Sequence, residues 1–305
     1  MSLLQIILGP TAVGKTDYAV AAALRCGSPV VSCDSRQLYR EMRIGTARPS
    51  EAQLAAVPHY FIADRSVTDG CTAGAYEQEA LQLLERLFRT HDTVVMAGGS
   101  GLYIDALCNG LDDFPEADPD LRAQLSERLR KEGVAALRAE LRILDPETFA
   151  VIDPANGQRI VRALEVTIAT GRKYSSFKTN PRRKRDFAIE KIGLTRPRPE
   201  LYDRIDRRVD RMMEEGLLEE VRSLLPYRDL PALNTVGYKE LFGYIDGRYD
   251  LAEAVRLIKR NTRHYAKKQL TWWGRDPSVR WIEADGQLPT SERNLMRTSR
   301  TSSSV

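Results

Sequence analysis

GPTAVGKT, Gly9 to Thr16, directly follows the apolar run Leu3-Leu4-Gln5-Ile6-Ile7-Leu8. The spacing is G-x-x-x-x-G-K-T, and a strand leading through glycines into an Ala-rich helix is the context that a phosphate-binding loop requires. Successive backbone N–H groups form an anion nest, the helix N-terminus adds its partial positive charge, and Lys15 adds a full one. The Thr16 hydroxyl is placed to hold Mg2+. Two linked phosphates are the natural guest of Gly9, Pro10, Thr11, Ala12, Val13, Gly14, Lys15 and Thr16. The loop leaves open whether that diphosphate belongs to a nucleotide.

At 305 residues the chain exceeds one ordinary domain, which predicts a large α/β core with an addition. Hydrophobic residues make up 42%, enough for a sizeable core, and no stretch approaches twenty apolar residues. The apolar start is too short for a signal peptide and lacks a basic n-region, so the expected location is cytoplasmic, with no membrane partner. Cys26, Cys33, Cys71 and Cys108 have no metal-ligand spacing and read as reduced thiols. The net charge of +4 is modest, but basic residues crowd the second half, which points to a polyanionic partner.

After the loop, Asp17 to Leu24 reads as a helix and Ser28 to Cys33 as a strand running into DSRQLY, Asp34 to Tyr39. Residues just past the carboxyl end of a parallel strand face the ligand crevice, so Asp34 is placed beside the phosphate loop. An N-cap for a following helix is the competing role, and the two are compatible. IGTARP, Ile44 to Pro49, is a loop that brings Arg48 to the same mouth. Thr93 to Ala97 reads as a buried strand ending in GGSGLY, Gly98 to Tyr103. No acid stands at that strand's end, where an NTPase would place a Mg2+-holding Asp, and this argues against ATP hydrolysis.

From Asp113 to Asp186 the pattern is helical with no strand signal. The expected organisation is therefore a P-loop NTPase-like parallel α/β core, residues 1–112 and 187–286, interrupted by an all-helical insertion, residues 113–186. A Ser/Thr/Arg-rich tail, residues 287–305, is expected to be disordered. The basic run Arg182 to Arg185 reads either as solvated surface or as nucleic-acid contact. Phe187 to Leu194 resumes the sheet, and the next helix carries Arg204, Arg208 and Arg211 along the edge of an apolar stripe. Spacing alone favours solvent for these three. A last long helix from Leu251 places Arg256, Arg260, Arg263 and Lys267 on one face, a pattern suited either to an RNA backbone or to water. Val279 to Glu283 is a final strand candidate.

In their order along the chain, GPTAVGKT, DSRQLY, IGTARP, AGGSGLYI, QRIVRALEV, LYDRIDRRVD, NTVGYKEL and AKKQLTWW resemble the bacterial tRNA dimethylallyltransferases, also called tRNA isopentenyltransferases. The resemblance runs from about Leu3 to Asp285. The family pattern usually has Thr at the position of Ser100 and Lys at that of Arg48, and both changes keep the hydroxyl or the charge. The zinc-finger extension of eukaryotic members is expected to be missing, as in bacterial members.

The resemblance implies transfer of a dimethylallyl group from dimethylallyl diphosphate to N6 of adenosine 37 in the anticodon stem-loop of tRNA, with Mg2+ as cofactor. It implies Asp34 as general base, Ser100 as a positioning hydroxyl, and Arg208, with Arg204 second, stabilising the leaving diphosphate. It assigns Asp34, Ser35, Arg36, Gln37 and Ser100, then Arg122, Gln158, Arg159, Ile160, Val161 and Arg162, and finally Thr235, Val236, Gly237, Tyr238 and Lys239 to tRNA. No obligatory protein partner is implied. The alternatives are an isopentenyltransferase acting on free adenylate and a P-loop kinase of small molecules.

Overall fold

A computed structural model describes residues 2–116, 118–179 and 182–284. The described residues form two compact units, one within 2–108 and 185–284 and the other within 109–184. The expected tail, 287–305, lies outside the described residues.

The first unit is built on six parallel strands: β1 (Leu3–Leu8), β2 (Val30–Ser32), β3 (His59–Tyr60), β4 (Thr93–Ala97), β5 (Ala188–Thr195) and β6 (Val279–Glu283). Their order across the sheet is β3-β2-β4-β1-β5-β6. β1 pairs with β4 and β5, so it lies at the centre of the sheet. Covered on both faces, β1 reads as a near-continuous apolar run rather than an alternating one. Helix α1 (Lys15–Cys26) starts from Gly14 in the left-handed region and buries Ala19, Ala22 and Ala23, small side chains that allow close packing. Gly9, at φ 143°, is a second enforced glycine: a Cβ there would stand 2.6 Å from the Leu194 carbonyl on β5.

Before the second unit begins, the first adds α2 (Glu51–Ala56), α3 (Ala73–Leu87) and α4 (Gly101–Asn109), which ends at the unit boundary. Thr72 caps α3 through the Ala75 amide at 3.1 Å. Four more helices belong to the second unit: α5 (Pro119–Glu132), α6 (Val134–Leu144), α7 (Pro146–Val151) and α8 (Gly157–Thr170). Their core is Leu125, Leu137, Leu141, Ile160, Val161 and Leu164. No strand occurs among the described residues of this unit, as the sequence pattern predicts.

The units divide a few residues away from the expected boundaries because the flanking segments bond to each other. Arg183 donates its amide to Asn109 at 2.9 Å and its guanidinium to Asp113 at 2.8 Å, which draws residues 109–113 into the helical unit. Arg185 belongs instead to the sheet unit, where it pairs with Glu77 at 2.6 Å and donates to the Leu107 and Ala106 carbonyls. Two cations of the basic run, Arg183 and Arg185, are thus paired within the protein.

After β5 the chain forms α9 (Arg198–Glu214), α10 (Leu217–Ser223), α11 (Tyr238–Ile245) and α12 (Leu251–Trp273). Leu201, Ile205 and Val209 form the buried stripe of α9, and Ala266, Gln269 and Trp273 lie on the buried side of α12. No helix among the described residues is long and apolar enough to cross a membrane.

Candidate active site

The loops after β1, β2 and β4 meet because those three strands are neighbours in the sheet. They line a cavity of about 500 Å3, with Lys15 and Thr16 from the phosphate loop, Asp34 from the β2 loop, Gly98 and Gly99 from the β4 loop, and Arg204 and Arg208 from α9. A second cavity of about 120 Å3 shares Thr11, Asp34, Arg208 and Met212 with the first and adds the apolar Val209, Leu217, Val236 and Ile258. A polar compartment therefore adjoins an apolar one, with Asp34 and Arg208 lining both.

Within the polar compartment, Lys15 Nζ donates to the Gly9 carbonyl at 2.9 Å and to the Pro10 carbonyl at 2.8 Å. Burial, and then the nearby Arg208 charge, pull the Lys15 ammonium down to about 8, against an opposing contribution from Asp34. Arg204 Nε donates to the Ala12 carbonyl at 2.8 Å, and Arg208 Nη1 reaches Thr11 Oγ1 at 3.5 Å. Burial, followed by the charges of Arg204 and Arg211, lowers Arg208 from its ordinary value. Both arginines thus turn from the stripe edge toward the phosphate loop, against the preference for solvent that spacing gave. Cations that depress one another's protonation are relieved by an anion placed between them.

Asp34 caps a turn rather than a helix. Its Oδ1 accepts from the amides of Arg36 at 2.9 Å and Gln37 at 3.4 Å, and residues 35–38 form a turn. Its Oδ2 has no hydrogen-bond partner among the described residues. Ser100 Oγ accepts from the Ser35 amide at 2.8 Å and donates to Ser35 Oγ at 3.1 Å, so this hydroxyl fixes the turn that presents Asp34. The Gln37 side-chain amide donates to the Thr46 and Ala47 carbonyls, both at 3.2 Å, and is occupied within the protein. Arg48 lines the larger cavity, as its loop predicts.

Two residues absent from the sequence assignment also build the site. Gln269 accepts from the Thr11 amide and donates to the Gly99 carbonyl, each at 2.8 Å, bolting the phosphate loop to the β4 loop. A glutamine at a core position of α12, between Ala266 and Trp273, was the available signal. Arg196 Nε holds the Val13 carbonyl at 2.9 Å.

Several assigned side chains are corrected. Ile160 and Val161 are buried in the core of the helical unit and present no side chain to a partner. Tyr238 is fully buried, its hydroxyl on Glu220 at 2.7 Å. Thr235, Val236 and Gly237 line the smaller cavity, and Lys239 is exposed. In the helical unit Gln158 and Arg159 are exposed, while Arg122 and Arg162 lie 3.4 Å and 3.1 Å from the buried Glu165 carboxylate. The basic face of α12 is partly neutralised: Arg263 pairs with Asp206 at 2.6 Å and Arg256 with Glu253 at 2.6 Å.

The family model described as IPP transferase matches residues 37–276. The chain belongs to the IPP transferase family. Among curated IPP transferase relatives, tRNA dimethylallyltransferase 1 of Bacteroides thetaiotaomicron is 50% identical over 96% of this chain and 95% of its own length. A tRNA dimethylallyltransferase of Porphyromonas gingivalis is 51% identical over 94% of this chain and 96% of its own length. The crystal structure of the tRNA isopentenylpyrophosphate transferase of Bacillus halodurans superposes with a TM-score of 0.69 at 36% identity, covering 98% of this chain and 95% of that one. The IPP transferase fold extends to a eukaryotic dimethylallyltransferase acting on tRNA, at a TM-score of 0.79 and 22% identity, covering 98% of this chain and 79% of that one.

Proposed function

We propose that this protein is a tRNA dimethylallyltransferase that moves a five-carbon dimethylallyl group from its diphosphate to N6 of adenosine 37 beside the anticodon, releasing diphosphate. The observation that carries the reading is the single cavity lined by the phosphate loop, Arg208 and Asp34. Breaking an allylic C–O bond requires stabilisation of the charge that grows on the departing diphosphate. Loop amides, Lys15, Arg208 and Arg204 supply it from a preorganised cradle. The exocyclic amine of adenine is a weak nucleophile because its lone pair is delocalised into the ring. Asp34 accepts its proton as the new C–N bond forms, and Ser100 keeps the Asp34 turn in place.

Mg2+ fits the donor set. Among the described residues no group of three His, Cys, Asp or Glu side chains could hold a metal unaided. A hydroxyl such as Thr16 beside bound phosphates is the usual oxygen set for this ion. When bound it would supply further neutralisation of the diphosphate charge.

The target adenosine must leave its stack to reach Asp34, so the anticodon loop delivers a flipped base. The exposed Gln158 and Arg159, Arg122 and Arg162 beside Glu165, and the turn Thr235 to Gly237 with Lys239 are assigned to gripping the anticodon arm. The residues of the insertion, 109–184, thus serve tRNA binding. A bacterial tRNA enzyme of this kind works in the cytoplasm.

The test is incubation with labelled dimethylallyl diphosphate, Mg2+ and unmodified tRNA carrying A36-A37-A38, with AMP and ATP as separate controls. Label on adenosine 37 is the expected result. Label on AMP would replace the reading with a nucleotide prenyltransferase, and ATP turnover without transfer would replace it with a kinase.

A further inference from the structure

Glu220 lies in the middle of α10, outside every residue given a role above except as the partner of Tyr238. Its Oε2 accepts from the backbone amides of Arg43 at 3.0 Å and Ile44 at 2.7 Å. Its Oε1 accepts from the Gly45 amide at 3.0 Å and from the Tyr238 hydroxyl at 2.7 Å. Three consecutive amides around one carboxylate form an anion nest, filled here by the protein's own side chain. No lysine or arginine pairs with Glu220 among the described residues, so neutral donors alone compensate its charge. Hydrogen bonds to a charged group are the stronger kind.

The nest controls a segment that matters. Thr46, Ala47 and Arg48 line the larger cavity, and Gly45, Thr46 and Ala47 line the smaller one together with Thr235, Val236 and Gly237. Tyr238 follows that turn at once, and its ring lies so near Gly45 that a Cβ there would stand 2.6 Å from a ring carbon. From the opposite side, Gln37 of the Asp34 turn holds the Thr46 and Ala47 carbonyls, and Ala47 sits at φ 48°, a conformation that side-chain-bearing residues avoid without support. The path of residues 43–48 is therefore set from two sides: by the Asp34 turn through Gln37, and by the 235–239 turn through Tyr238 and Glu220.

We propose that Glu220 and Tyr238 are positioning residues that couple the two substrate ends of the site. RNA seated on the 235–239 turn steadies Tyr238, Tyr238 and Glu220 steady residues 43–48, and those residues complete the cavity for the isoprenoid diphosphate. The identity of the two substrates rests on the tRNA dimethylallyltransferase reading.

Wild type, Glu220→Gln and Tyr238→Phe are compared by amide hydrogen exchange with and without an unmodified anticodon stem-loop, and by steady-state transfer. Glu220→Gln is expected to speed exchange at residues 43–45 about tenfold and to raise KM for dimethylallyl diphosphate about tenfold, with kcat changed less than about threefold. In wild type the stem-loop slows exchange at 43–45, and Tyr238→Phe, which keeps the ring, abolishes that slowing. Unchanged exchange at 43–45 with unchanged KM in both variants overturns the inference. So does a rise in exchange spread through β1 and α1 with kcat falling alongside, which would make Glu220 a general fold residue. If wild type transfers no prenyl group, the reading of the reaction fails, while the exchange pattern with the stem-loop still decides the coupling.

Discussion

Around the phosphate loop the cations are tied to backbone carbonyls: Lys15 to Gly9 and Pro10, Arg204 to Ala12, Arg196 to Val13. In the helical unit the cations assigned to tRNA are either exposed, as Arg159 is, or set beside one buried carboxylate, as Arg122 and Arg162 are beside Glu165. The first arrangement costs no reorganisation when a small anion arrives, which is what stabilising a leaving group demands. In the second, Arg159 is exposed and can follow a polyanion whose charges are spread along a backbone, while Arg122 and Arg162 are held by Glu165. On the proposed function, the first region serves chemistry and the second serves grip.

The largest effect that would break this comparison is at Arg208. Arg208→Ala is expected to lower kcat by about 100- to 1000-fold, the range for losing a preorganised donor to a developing negative charge, with tRNA affinity by filter binding unchanged. A kcat near wild type would place the leaving-group charge elsewhere.

The next effect lies in the helical unit's own architecture. Asp145 is fully buried and accepts from the Thr148 amide at 3.0 Å, Thr148 Oγ1 at 2.6 Å, the Ser175 amide at 2.8 Å and Ser175 Oγ at 3.0 Å. Asp145→Ala strands these donors and is expected to destabilise the helical unit by about 2–3 kcal/mol. Urea unfolding measures the loss, and binding of the isoprenoid diphosphate to the other unit should persist. Burial opposes ionisation of Asp145, yet the bonds from Thr148 and Ser175 outweigh it and hold the carboxyl below its usual value. A depressed carboxylate contributes stability that is present above its unfolded value and is lost as pH falls through its folded one, so acid should loosen this unit.

Smaller again is a pH effect on the phosphate side. Burial and the Arg208 charge pull Lys15 down to about 8, and a bound diphosphate favours its charged form. Affinity for dimethylallyl diphosphate is therefore expected to be flat below about pH 8 and to weaken above it by up to about tenfold per pH unit. Calorimetric titration between pH 7 and 9.5 checks it, and a Lys15→Met variant should lose the dependence.

The smallest expected change sharpens the grip side of the comparison. Arg159→Ala should weaken tRNA binding a few-fold, about equally for different tRNAs, and reduce the slope of log affinity against log salt by about 0.7–0.9. An unchanged salt slope would remove Arg159 from the phosphate contacts.

The sheet and the phosphate side were legible because their signals are local. A strand running into G-x-x-x-x-G-K-T and an acid at the end of the next strand each need only a few adjacent residues. The two-residue strand β3 carried no pattern to read, since His59 and Tyr60 earn their pairing from β2 alone. Long-range partnerships were equally hidden. Arg208 turned inward because Thr11 lies across from α9, and Arg263 lost its place on a basic face because Asp206 sits on the neighbouring helix. Tyr238, Ile160 and Val161 stand inside motifs, but a motif does not say whether a side chain faces a partner or the core. Glu220 had no local signal at all, because its four donors come from residues 43–45 and 238.

The measurement that tests the central claim most directly is the single-turnover rate of transfer to adenosine 37 in Asp34→Asn, with both substrates saturating. Asparagine keeps a side-chain oxygen for the Arg36 and Gln37 amides but cannot take a proton. The account predicts a fall of about 100-fold or more with both substrates still bound. A rate within a few-fold of wild type would show that the proton leaves by another route and that Asp34 only shapes the turn.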